Sequence, residues 1–247
     1  MSPRRTDPPE ASKRRRGLTR DIVIAEALAI VDAEGLAAVT MRRLAVDLGI
    51  EAMSLYTHVR GKQDLINGMN ILVLSQLDQP TDAIEWPEVL ETFARRLYDA
   101  YLRRPELARV LEHTAPSSPE AFGAMERVLA ALDETGLEPS EQVSAFRGVI
   151  AVCLGFVLVH AGEPASPRAP DERPWSGWDE PTMSASALPH IMRLAPAFES
   201  TSNDADFEFV IGACIGALQT IARTRANQRA RRYSPARRKP ASSRTEH

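Results

Sequence analysis

Residues 40–62, TMRRLAVDLGIEAMSLYTHVRGK, hold two short amphipathic stretches with a single glycine between them. Isolated helices shorter than about 12–15 residues are marginal in water, so neither stretch can stand alone. The spacing predicts one helix over Met41–Leu48, capped by Thr40, and a second over Glu51–Val59. Leu44 and Leu48 give the first an inner face, and Leu55 and Val59 give the second a matching one. Ala45 is small enough for close approach. Gly49 supplies a residue that takes a positive φ without penalty at the sharp turn. A preceding helix, predicted over Arg20–Glu34 with Thr19 as N-cap and Gly35 as its stop, closes the third wall of this small core. Its face is predicted to be Ile22, Ala25, Ala29 and Ala33.

Such a unit holds its last helix on a rigid platform with one side turned outward, a geometry that enters a DNA major groove. The outward candidates are Ala52, Met53, Ser54, Tyr56, Thr57 and His58. Ser54 and Thr57 have hydroxyls for phosphates or base edges, and Tyr56 can donate to phosphate and pack on sugar. Ala52 and Met53 suit thymine methyl groups. Arg42 stands at the start of the first short helix, close enough to reach backbone or a base, and Thr40 beside it is a further DNA-binding candidate. Lys62 opens the following helix, where its charge adds to the amide groups of the helix start. On spacing alone, a helical hairpin with a polar exterior stays open beside this reading.

Charge is divided along the chain. Residues 1–62 carry 11 Lys/Arg against 8 Asp/Glu, residues 63–222 carry 10 against 24, and residues 223–247 carry 9 against 1. A basic front and an acidic middle fit DNA at one end only, and equally fit an acidic surface with two basic tails. Residues 1–18, with Lys13-Arg14-Arg15-Arg16, read as a disordered arm that reaches phosphates or only solubilises. Residues 229–247 read as a second loose tail.

The remainder reads as helices, so the chain is expected to be all-α. A fourth helix starts near Lys62 with Leu65, Ile66, Met69, Leu72 and Val73 inward. Others are predicted over Pro87–Arg103 (Leu90, Phe93, Leu97, Tyr101), Pro105 to about His113, and Glu120–Glu134 (Phe122, Met125, Leu129, Leu132). Three more follow: Pro139 or Ser140 to His160, Ala185–Ala195, and Ala205–Gln228 with Phe207, Val210, Cys214, Leu218 and Ile221 as its stripe. Residues 163–184 form a proline-rich loop. Cys153 and Cys214 are expected as buried free thiols. The segment Gly148–Gly162 is too short to span a membrane and suits a buried helix. No signal peptide is visible, which predicts a cytoplasmic protein.

The segment Gly35, Thr40-Met41-Arg42-Arg43-Leu44-Ala45, Leu48-Gly49, Leu55-Tyr56-Thr57-His58-Val59 and Lys62 strongly resembles the TetR family of bacterial regulators. The resemblance is specific over residues 20–75 and weaker beyond, where it points to the tetracycline repressor branch. It implies a helix-turn-helix DNA-binding domain over 19–63 and a helical ligand-binding and dimerisation domain over 64–228. It implies a homodimer on a palindromic operator, joined through about Ser140–His160 and Ala205–Arg225. Repression follows from the resemblance; activation by the same fold stays open. Positions matching Arg42, Ala52, Met53, Tyr56, His58 and Lys62 face the operator in that branch. Ala52 replaces a polar residue and Met53 a proline, which leaves the operator sequence open.

Tetracycline repressors hold magnesium beside the drug with a pocket histidine. Alignment from Trp86 puts Leu111 there, with His113 nearby, so a metal-free site and an apolar effector are expected, with no cofactor. The candidate pocket residues are Met69, Phe93, Leu97, Leu111, Met125, Phe146 and His160, each of which also reads as core. Trp175 and Trp178 are candidates to cover the pocket. Glu112, His113 and His160 have no nucleophile or metal set beside them, so no catalysis is expected.

Overall fold

The computed structural model describes residues 17–77, 85–111, 119–160, 188–200 and 202–233. Among them are ten α-helices and no strand. Three build the head: α1 (Arg20–Glu34), α2 (Met41–Leu48) and α3 (Ala52–Leu55). Seven follow: α4 (Lys62–Gln76), α5 (Trp86–Leu102), α6 (Pro105–Ala108), α7 (Pro119–Asp133), α8 (Pro139–His160), α9 (Pro189–Ser200) and α10 (Asn203–Tyr233). The arm with Lys13–Arg16, residues 163–184 with Trp175 and Trp178, His113 and the tail after 233 lie outside the described residues.

The helix ends follow local chemistry. The Thr19 hydroxyl accepts from the Ile22 N–H at 3.3 Å, and the Thr40 hydroxyl accepts from the Arg43 N–H at 3.1 Å. Gly49 sits at φ 68°, ψ 36°. Its N–H reaches the Val46 carbonyl at 3.1 Å, and the Ile50 N–H reaches Ala45 at 3.0 Å, the paired bonds of a Schellman stop.

Which face of α1 turns inward differs from expectation. Ile22, Ala25, Ala29 and Ala33 are exposed or nearly so, and Val23, Ile24, Ala27, Leu28, Ile30 and Val31 are buried. Both sets recur at helical spacing. The second carries the larger apolar surface, and burial favours it in proportion to area. The same happens in α7. Phe122 stays 43% exposed, Met125 and Leu129 are half-buried, and Ala124, Val128, Ala131 and Leu132 form the buried side. Two alanines there let α7 close against α4 and α5.

Helix α5 is the centre of the body and packs on α6, α7, α8 and α10. Leu90, Phe93, Leu97 and Tyr101 are all buried, as their spacing predicts. Helices α8 and α10 run antiparallel, since Phe156 meets Phe207 at one end and Arg225 meets Glu141 at the other. Helix α4 packs on α1 in the head and on α7 in the body. Further extents differ from expectation. Regular helix in α3 stops at Leu55 and in α6 at Ala108, α9 starts at Pro189 and runs through Pro196 to Ser200, and α10 runs to Tyr233, so the first residues of the expected loose tail are helical.

At 22 residues, α8 outruns the 15-residue apolar segment read from the sequence, and α8 and α10 are each long and apolar enough to cross a membrane by length and composition. One side of each nevertheless serves the bundle. Val149, Cys153 and Val157 are buried on α8, and Phe207, Ile211 and Ile215 on α10. Cys153 is a buried free thiol; Cys214 is free but only half-buried, as are Val210 and Leu218. Of the expected α10 stripe Phe207 is buried, but the side that continues inward is Ile211 and Ile215, one step around the helix from Val210, Cys214 and Leu218.

Candidate nucleic-acid interface and effector region

The head presents α3 and its following turn outward. Leu55 and Val59 point into the core with Leu44 and Ala45. Ala52, Met53, Ser54, Tyr56 and Thr57 are exposed, and His58 is half-buried. Met53 is 74% exposed, which leaves its apolar side chain free to meet a ligand. Arg42 and Lys62 are exposed at the first turns of α2 and α4. Thr40 and Thr57 already have structural tasks. Thr40 caps α2, and the Thr57 hydroxyl donates to the Ser54 carbonyl at 2.7 Å. Arg43 is consumed between Glu34 and Asp47, so it locks α2 to the end of α1.

Two features here escaped sequence reading. Arg20 forms a bidentate pair with Asp64 at 2.6 and 2.8 Å and also donates to the His58 carbonyl at 3.0 Å. Asp64 further accepts from the Arg60 N–H at 2.8 Å. The Arg20 bond, helped by that N–H, lowers the Asp64 pKa to about 2 against an opposing burial effect. The second feature is Asn70, fully buried on α4. It accepts from the Tyr101 hydroxyl at 3.2 Å and donates to the Leu107 carbonyl at 3.5 Å, which joins α4 to α5 and α6. An asparagine between the apolar residues Met69 and Ile71 of α4 was the available signal for it.

On the effector side the candidates do not converge. Phe93 on α5 and Phe146 on α8 pack with centroids 6.1 Å apart. Leu97 lies one turn along α5 and Met69 is fully buried on α4, while Leu111 and Met125 are half-buried. His160 lies roughly 21 Å along α8 from Phe146, at 1.5 Å per residue. There its Nδ1 is 3.5 Å from the Tyr98 hydroxyl, which donates to Asp204 at 3.1 Å. Burial lowers the His160 pKa while Asp206 and Asp204 oppose it. Tyr98 is pushed up to about 12, chiefly by burial and then by the Asp204 bond. A crevice bounded by Leu77, Val89, Phe93, Ala124 and Val128 measures about 10 Å³, scarcely one water. Among the described residues no group of three or more His, Cys, Asp or Glu could hold a metal ion.

The model of the tetracyclin repressor-like C-terminal domain matches residues 79–221. The chain belongs to the tetracycline repressor family. It is 39% identical over 143 residues to the HTH-type transcriptional repressor DrrR1 of Streptomyces coeruleorubidus, a match covering 57% of this chain and 52% of DrrR1. The chain thus spans about half the length of that relative. It is 33% identical over 144 residues to the class E tetracycline repressor of Escherichia coli, covering 57% of this chain and 68% of that protein. Among solved structures, apo ActR from Streptomyces coelicolor superposes with a TM-score of 0.71 at 28% identity, covering 83% of this chain and 96% of ActR. ActR in complex with actinorhodin gives 0.69 at 27% identity, covering 82% and 96%. Members of this family are DNA-binding transcriptional regulators rather than enzymes. The family model covers the body, α5 to the middle of α10, and the ActR match extends over most of the chain.

Proposed function

We propose that the protein is a homodimeric repressor that grips a palindromic operator with two heads and lets go when a small apolar molecule enters the helical body. The observation that carries this is the outward set Ala52, Met53, Ser54, Tyr56, Thr57 and His58 on a head whose inward residues are fully packed, flanked by Arg42 and Lys62. Lys62 and Tyr56 serve phosphates, and Ala52 and Met53 read bases. The head over 19–63 and the body over 64–228 divide the labour, and the protein works in the cytoplasm beside the DNA.

Dimerisation uses the apolar sides of α8 and α10 that the bundle leaves open. Val159 and Phe209 are each 77% exposed, and a Cβ added at Gly148, Gly155, Gly212 or Gly216 would meet nothing within 4 Å. Covering these sides with a second copy removes apolar surface from water and lets backbones approach closely. The effector enters beside Phe93, between α5 and α7. At about 10 Å³ the crevice there must widen, so binding parts helices that lean on α4. Three polar ties carry that strain to the head: Asn70 with Tyr101 and Leu107, Arg104 with Asp32 at 2.5 and 2.8 Å, and the Leu36 N–H with Glu106 at 3.5 Å. The complex of ActR with actinorhodin supports a small-molecule effector for this body.

The test is to enrich duplexes from a random pool with the full-length protein, then titrate the winner's affinity against apolar metabolites and drugs with and without magnesium. Two inverted half-sites about 34–36 Å or a multiple of that apart are expected, with affinity lowered by an effector that needs no metal. Enrichment of no sequence would sink the regulator. A strict magnesium requirement would refute the reading of Leu111.

A further inference from the structure

The regular part of α3 is four residues long, and the chain from Tyr56 to His58 continues only as turns. Nothing intrinsic to so short an element fixes its pitch against α4. What fixes it lies behind. Arg20, the first residue of α1, spreads its guanidinium over two partners: the Asp64 carboxylate and the His58 carbonyl that ends the outward segment. Asp64, in the first turn of α4, turns its other contact back to the Arg60 N–H. One guanidinium and one carboxylate therefore tie the last outward residue, the approach to α4 and the start of α1 into a single joint. The joint is tight on the α4 side, since Gly68 sits so close to α1 that a Cβ there would be 2.5 Å from Ile24. Both ionic side chains are partly exposed, 40% for Arg20 and 28% for Asp64, so burial of the pair is not what the geometry secures.

We infer that Arg20 and Asp64 are positioning residues for DNA readout: the pair holds Tyr56, His58 and Lys62 in register with one another and touches no base. The inference rests on the regulator reading and adds to it a pair that the outward face does not contain. It makes a prediction opposite in sign to simple electrostatics. Asp64 is an anion near the phosphate-facing Lys62, so its neutralisation by charge alone strengthens binding to every duplex. A positioning role requires that neutralisation weaken binding to the chosen duplex and to that one only.

The experiment uses full-length wild type, Asp64→Asn and Arg20→Lys, with a duplex enriched by the wild type and a scrambled duplex of equal length as probes. Arg20→Lys keeps the charge and loses the forked geometry. Circular dichroism checks that each variant is folded, and affinity is read against salt. Expected for both variants is at least a tenfold loss on the enriched duplex, unchanged or tighter binding to the scrambled one, and an unaltered salt slope. A folded Asp64→Asn that binds both duplexes equally well or better than wild type overturns the positioning role. So does an Arg20→Lys variant with full discrimination, which stands even where Asp64→Asn does not fold. If Arg20 instead touches phosphate, its conservative variant keeps discrimination and shifts both affinities together, which also overturns it. A wild type that enriches no duplex removes the regulator reading, and the positioning role with it, before any variant is made.

Discussion

Lys62 and Asp64 stand two residues apart, and the roles proposed for them are opposite. Lys62 is exposed at the first turn of α4, and truncation to alanine is expected to weaken all duplexes about equally and lower the salt slope by about one unit. Affinity measured from low to high salt checks this. Met53, exposed on α3, is expected to change base preference instead, by about 1–3 kcal/mol at one base pair, read by selection over randomised duplexes. The Asp64 carboxylate is held at about 2 from its ordinary 3.8. Its folded pKa lies below its unfolded one, so the unfolded chain binds the proton more readily. The stability it contributes is whole above about pH 4 and is lost as pH falls through 2. Urea midpoints of wild type and Asp64→Asn should therefore differ by a constant amount from pH 7 to 5 and converge between 4 and 2. A gap undiminished at pH 2 would mean the pair does not titrate as described.

Helix α4 packs on α1 in the head and on α7 in the body, with Gly68 against the one and Asn70 tied towards the other. Towards α1, Gly68→Ala puts a methyl 2.5 Å from Ile24 Cδ1 and 2.8 Å from Cγ1. Ile24 is buried and branched, so it cannot swing away freely, and about 1–3 kcal/mol of destabilisation is expected from denaturant unfolding. Towards the body, Asn70→Leu leaves the Tyr101 hydroxyl without its bond inside the core, whereas the Leu107 carbonyl keeps the Val110 N–H at 3.2 Å. An orphaned buried polar group costs about 1–3 kcal/mol. Changing Tyr101 to Phe together with Asn70→Leu should recover part of that loss, because both sides of one bond then go. A double variant no better than the sum of the singles would show that the two are not coupled.

At the scale of the molecule, the proposed dimer rests on the open sides of α8 and α10, which are distinct from the sides that carry the fold. Gly212→Glu falls on the open side of α10, whereas Phe207, Ile211 and Ile215 face inward. The variant is expected to sediment as a monomer with near-native helix content and to lose operator affinity, because the two half-sites are no longer bound together. A charge at Val210 or Leu218, both half-buried, would mix loss of dimer with loss of fold. Wild type that sediments as a monomer at micromolar concentration would overturn the dimer.

The all-α class, the head and most helix limits were legible in the chain because they rest on local rules. Thr19 and Thr40 cap, Gly35 and Gly49 stop, and Leu44, Leu55 and Val59 recur where a small core needs them. The outward residues of the head were legible for the same reason, as the complement of a short inward pattern. What the local rules left undecided was the choice between competing faces. Ile22-Ala25-Ala29-Ala33 and Val23-Ala27-Ile30-Val31 are both helical stripes; the second carries the larger apolar surface, and α2 and α4 pack against α1 to bury it. Likewise α10 has apolar residues nearly all round, and packing against α5 and α8 draws in Phe207, Ile211 and Ile215 and leaves Val210, Cys214 and Leu218 half out. Separation along α8, invisible in a list of apolar residues, places His160 beside Tyr98 and away from Phe146. Arg20 with Asp64, and Asn70 with Tyr101, pair across 44 and 31 residues of chain. Periodicity records the direction in which a side chain leaves its own helix; which partner waits there depends on how the helices are arranged, and that is settled only when the whole core packs.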